Sequence, residues 1–188
     1  MQRMHMQQMK MMCAAIAMST ASTMAMAQAA PPAGLPPPAG LAVEVQRNYA
    51  AVKENIIKSA EKMPEESYTY KPEPDIRVFA RVVNHVTEAQ VRSCGAVNHT
   101  PADQLPKVPA DTASKAEIVA ALKASFAACD TAYGSATDAN MVEVLSLGKA
   151  SRTRAGLLWG NASHDNEQYA TLALYLRLKG INPPSMEK

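Results

Sequence analysis

Residues 153–179, TRAGLLWGNASHDNEQYATLALYLRLK, constrain the fold more than any other stretch of this chain. Leu157, Leu158, Leu172, Tyr175 and Leu176 recur at the spacing of a long helix with one buried face. In the middle of that face the pattern turns polar: Asn161, His164 and Gln168 step by three and four along the same stripe. A helix that turns an imidazole and two amides toward its own core either satisfies a buried hydrogen-bond network or builds a site. It also needs other helices to cover it.

The chain supplies three such partners. Over 41–62, Val45, Tyr49, Val52, Ile56 and Ala60 form a narrow seam that Met63 extends, and Pro64 ends the helix. Residues 65–75 carry Pro72 and Pro74 and read as a loop. The second helix is predicted over 76–96, with Val78, Phe79, Val82, Val83, Val86 and Ala89 on its apolar side and His85 on or beside it. The polar segment 98–111 is a long connection, suited to a crossover more than a tight hairpin. The third helix, predicted over 115–135, opens on an S-x-x-E capping box, Ser114 to Glu117, and its seam is Val119, Leu122, Phe126, Cys129 and Tyr133. Residues 136–151 read as another connection, in which 141–147 is an apolar patch able to pack under the helices. Thr153 or Ser151 caps the fourth helix, and Gly180 with Pro183 and Pro184 stops it. With no credible strand, the expected class is all-α: a four-helix bundle with a long connection between helices two and three.

Ahead of the bundle, residues 1–27 read as a secretory signal peptide: Arg3 and Lys10, an uncharged run, then Ala25-Met26-Ala27 as an A-x-A cleavage pattern. Residues 28–40 hold five of the thirteen prolines and read as an extended tether to a domain at 41–188. The implied location is outside the cytoplasm, periplasmic or secreted, with no stable membrane span after cleavage. Removing 1–27 also takes nine of the twelve methionines and two basic residues, leaving 17 Lys and Arg against 17 Asp and Glu. A Met-based copper site and an electrostatic case for nucleic acid both go with it. Cys94 and Cys129 are the cysteines left. A disulfide between them is allowed if helices two and three are neighbours with Cα atoms within about 7 Å; otherwise they are two free thiols.

Bundle cores build metal sites from side chains on facing helices, and His85 is central in helix two as His164 is central in helix four. Gln168 stands where an H-x3-H pair would place a second histidine. Glu88 and Asp165 are candidates for supporting charge, although solvated helix flanks suit both better; His99 reads as surface decoration, and Trp159 as packing between helices. Ser163 has no base-and-acid pair around it, and the chain has no C-x-x-C, Gly-rich phosphate loop or nucleophile elbow.

At these residues the chain resembles the DinB-like superfamily of four-helix bundles, in an exported branch. The matching text is LAVEVQRNYAAVKENIIKSAEKMPEESYTYKPEPDIRVFARVVNHVTEAQ, LKASFAACDTAY and HDNEQYATLALYLRLKGINPPS, which span most of 41–185. The resemblance implies a divalent metal, zinc or nickel, held by one histidine of helix two and an H-x3-H pair of helix four. Carried over, the ligands are His85, His164 and the position of Gln168, where this chain departs from the pattern with a neutral amide. It further implies a homodimer and, as in some relatives, a metal-dependent transferase or isomerase that works through small thiols. It implies no role in DNA repair. Two functions are therefore expected: a metal-assisted enzyme, thiol transferase or hydrolase, acting on an unidentified small molecule, or a non-catalytic bundle in which the same residues form a polar network or small-ligand pocket.

Overall fold

The computed structural model describes residues 39–187; the signal peptide expected at 1–27 and most of the tether expected at 28–40 lie outside the described residues. Among the described residues four helices carry the fold: α1 (Leu41–Lys62), α2 (Phe79–Val97), α3 (Lys115–Gly134) and α4 (Arg154–Leu178). The α1 seam is as its spacing dictates, with Val45, Tyr49, Val52, Ile56 and Ala60 buried. Its Tyr49 stacks on Tyr133 of α3 at 3.8 Å between ring centroids and donates its hydroxyl to the Phe126 carbonyl at 3.0 Å. Each such side chain, fully buried, contributes about 1.5–3 kcal/mol through its apolar surface.

Helix boundaries follow from where the first backbone donors go. Ser114 and Glu117 form the capping box reciprocally at α3, and the Thr153 hydroxyl accepts from the Gly156 N–H at 3.0 Å at α4. The second helix starts at Phe79 rather than at 76. Its Phe79 and Ala80 N–H groups donate to the carbonyls of Tyr70 and Tyr68, so the proline-containing loop supplies the cap that no side chain provides.

The helices pack in a ring: α1 against α3 and α4, and α2 against α3 and α4. Chain neighbours α1 and α2 therefore sit diagonally, as do α3 and α4, and the connections between them have to be long. The 98–114 connection lies on α2, where the Asn84 amide donates to the Pro109 carbonyl at 3.0 Å and to Asp111 at 2.8 Å. A Cβ on Gly95 would stand 2.5 Å from the Leu105 Cδ2 methyl, so a larger residue there would have to push that side-chain tip aside.

One expectation fails. The connection ahead of α4 contains a β-hairpin, β1 (Val144–Leu147) paired antiparallel with β2 (Ala150–Thr153), Leu147 opposite Ala150. Gly148 takes φ +62° at the first position of its two-residue turn, as a type II′ turn requires. Met141 and Leu145 are buried, so the apolar patch does pack on the bundle, but partly as a strand. A disulfide, Cys94–Cys129, joins α2 to α3 with Cα atoms 5.1 Å apart.

Candidate functional site

The packing of α2 on α4 brings His85 and His164 edge to face, their Nε2 atoms 3.1 Å apart and their rings at 72°. Each is held at a half-buried level, with side-chain exposures of 30% and 24%. The two Nδ1 atoms point the other way, toward carboxylates: His85 Nδ1 lies 3.5 Å from Glu88 Oε2, and His164 Nδ1 lies 3.6 Å from Asp165 Oδ1. Both Nδ1 atoms are buried and lack a hydrogen-bond partner among the described residues.

Protonation states follow from this arrangement. If each Nδ1 carries its proton toward its carboxylate, both Nε2 atoms present lone pairs to each other at 3.1 Å. That contact needs a shared proton or a cation. Two nitrogens on one tetrahedral ion at about 2.0–2.1 Å each stand about 3.3 Å apart, so the observed span fits chelation to within a few tenths of an ångström. A carboxylate behind each ring is the pattern that fixes tautomer and basicity in histidine metal sites. Burial, then the neighbouring His164 and Arg77, holds the His85 imidazole below its ordinary pKa, which favours the neutral ligand form; Glu88 opposes the shift.

The supporting groups are anchored differently. Glu88 is gripped by Arg81 through two bonds, 2.7 and 2.6 Å, and that guanidinium holds its carboxyl below the usual range. Asp165, expected on a solvated flank, is fully buried. It accepts from Gln90 at 3.3 Å and from Asn161 at 3.4 Å, and burial pushes its carboxyl up, against the opposing effects of His164 and Gln90. Behind it, Ser125 donates to Gln90, and Tyr133 donates to Asn161 at 3.2 Å. The sulfurs of Cys94 and Cys129 lie 3.5 and 3.7 Å from Asn161 Oδ1; in the disulfide they carry no proton, so these are packing contacts.

Of the three residues expected to hold a metal, His85 and His164 meet. Gln168 is buried one turn after His164 on the same helix. Among the described residues no three His, Cys, Asp or Glu side chains are grouped as a metal ion would need, so any third strong donor has to come from elsewhere. The donor set therefore suits a weakly held borderline ion. Trp159, expected between helices, is 59% exposed, and His99 is exposed as expected. Sequence reasoning missed Gln90 and Ser125, although Gln90 falls four residues before Cys94 on the buried side of α2.

Comparison with known proteins gives one family. The model of the DinB superfamily matches residues 48–172, well over half of the chain. Among solved structures, the chain is similar to a DinB-like protein from Bacillus cereus ATCC 10987 at 15% identity and a TM-score of 0.62, covering 74% of this chain and 93% of that one. It is similar also to a DinB-like protein, YjoA, from Bacillus subtilis at 15% identity and a TM-score of 0.59, covering 73% and 92%. No curated protein matches. Likeness at that identity speaks for the fold, and the family model speaks for descent: this chain belongs to the DinB superfamily.

Proposed function

We propose that this protein binds a divalent cation, zinc or nickel, between His85 and His164, with Gln168 as a weak third donor, and acts on a small molecule as a thiol transferase or hydrolase does. The observation that carries the reading is the pair of Nε2 atoms 3.1 Å apart, each on a ring whose Nδ1 faces a carboxylate. When bound, the ion supplies Lewis acidity that makes a coordinated thiol or water easier to deprotonate. The protein's own residues do the rest. His85 and His164 orient the ligand nitrogens, Glu88 and Asp165 raise their basicity, and Asp165 gains the counter-charge that a buried carboxylate otherwise lacks.

Titration calorimetry of the metal-stripped protein with Zn²⁺ and Ni²⁺ tests this. Wild type is expected to bind one ion weakly, and Gln168→His to bind it much more tightly by completing three nitrogen ligands. At a hundred times Kd the ion adds about 2.7 kcal/mol of stability, which melting curves read directly. His85→Ala or His164→Ala in the Gln168→His background abolishes both gains. If neither wild type nor Gln168→His binds, the reading fails, and the chain from Ser125 through Gln90 to Asp165 stands as a structural polar network. That second reading has its own support in Gln90, Asn161 and Asp165, all buried and hydrogen-bonded.

We also infer export, to the periplasm or beyond. The A-x-A pattern at 25–27 supports it, and so does a Cys94–Cys129 bond of a kind that persists in oxidising compartments. Among the described residues no helix is long and apolar enough to cross a membrane.

A further inference from the structure

Beside His164, between α2, α4 and the hairpin, lies a cavity of about 230 Å³ whose lining includes Arg92, Ser93, Arg152, Gly160, Asn161 and His164. Its lining contains two arginines and no Asp or Glu. Among the described residues Arg47, Arg81 and Arg154 each have a carboxylate partner, while Arg77 and Arg177 have none. Among the described residues Arg92 and Arg152 have none within 4.0 Å, and the acid one turn before Arg92, Glu88, has both oxygens committed to Arg81. Two arginines without a carboxylate partner, both exposed, around one concavity make a local positive field that favours an anion. The first two turns of α4 add the positive end of a 25-residue helix.

We propose that this cavity binds a small carboxylate-bearing molecule, its anionic end between Arg92 and Arg152 and its body extending toward His164. The guanidinium fork matches a planar carboxylate bidentately. A phosphate site at a helix start would use free backbone N–H groups, but here the Gly156 N–H is already bonded to the Thr153 hydroxyl. The volume lies below the about 300–1,000 Å³ of drug-sized pockets, so the ligand is small. A Cβ on Gly160 would meet nothing within 4 Å, so the wall recedes there and the missing side chain enlarges the cavity. Arg152 comes from β2, which gives the unexpected hairpin a role in recognition.

The proposal names the ligand class of the histidine centre but does not need the cation, because His85 is not among the lining residues. The test is calorimetry with succinate on full-length protein stripped of metal by a chelating resin. Neutral succinamide and inorganic phosphate serve as comparison probes. Succinate is expected to bind one site and succinamide not to bind. Arg92→Gln and Arg152→Gln should each weaken succinate about tenfold or more, the loss of a charge-assisted bond. Gly160→Leu should weaken it by filling the cavity while both charges stay. His85→Ala should keep succinate binding while losing any cation binding, so the two readings fail separately. Absence of succinate binding, binding that survives Arg92→Gln and Arg152→Gln, or phosphate binding without succinate overturns the proposal.

Discussion

At the scale of single residues, Asp165 is the side chain on which the centre's energetics turn. A carboxyl with no solvent exposure and two neutral donors is held protonated to higher pH than in the unfolded chain. The native state then keeps a proton that the unfolded state has released, so stability falls as pH rises above the carboxyl's ordinary value. Asp165→Asn removes that dependence. In metal-free protein, the difference in stability between variant and wild type should shift in favour of the variant from about pH 4 upward and then level off. With zinc present the order should reverse, because the carboxylate behind His164 is lost. Melting temperatures of both proteins across pH, with and without zinc, check this; a pH-independent difference would show that Asp165 is fully compensated in the free protein. Asp165 was within reach of sequence reading, since it stands four after Asn161 and three before Gln168 on the same stripe. The general exposure of aspartate hid it.

At the scale of elements, two helices end in the same geometry with different residues. At α4 the Ile181 N–H donates to Leu176 and the Gly180 N–H to Arg177, a Schellman motif with Gly180 at φ +72°. At α2 the Thr100 N–H donates to Gly95 and the His99 N–H to Ala96, the same motif with His99 at φ +54°. A side chain in that region costs about 1 kcal/mol that glycine does not. His99→Gly should therefore raise the free energy of unfolding by about 0.5–1 kcal/mol, measured by urea titration; no change or a loss would mean that the His99–Glu143 contact at 3.8 Å outweighs the strain. Gly180 announced its helix end in the sequence, and His99 did not, because a histidine is not the usual residue there. The α1 bounds and seam were readable for the same reason, three- and four-residue periodicity over a full 22 residues. The hairpin was less so. Leu145 and Leu147 alternate and Gly148-Lys149 is a competent two-residue turn, but strands of four residues with one buried side chain carry little pattern. The α2 start was hidden because its cap comes from backbone carbonyls, which every residue has.

At the scale of the whole molecule, the α2–α3 disulfide ties two adjacent walls of the bundle across a sequence separation of 35 residues. In the chain-entropy model such a loop contributes about 3–4 kcal/mol. Protein recovered from the exported fraction should begin at Gln28, show no free thiol, and lose stability of that order in Cys94→Ser/Cys129→Ser. Intact mass, thiol titration and urea unfolding decide it: a chain retaining Met1 sinks the signal peptide, and two free thiols sink the bond. Histidine convergence was legible at this scale only in outline, since central positions on two helices say nothing of whether those helices touch. What settles it is the ring order.

That ring order also governs how the molecule comes into being. Only α2 and α3 are neighbours both along the chain and in space; every other wall joins helices with at least one whole helix between them in sequence. Closing those walls costs loop entropy before any contact repays it, which raises contact order above that of an up-and-down bundle and slows folding. The histidine pair, 79 residues apart, and the arginine cavity beside it belong to the wall between α2 and α4. A nascent chain therefore has neither to offer until α4 has been synthesised and has closed the ring.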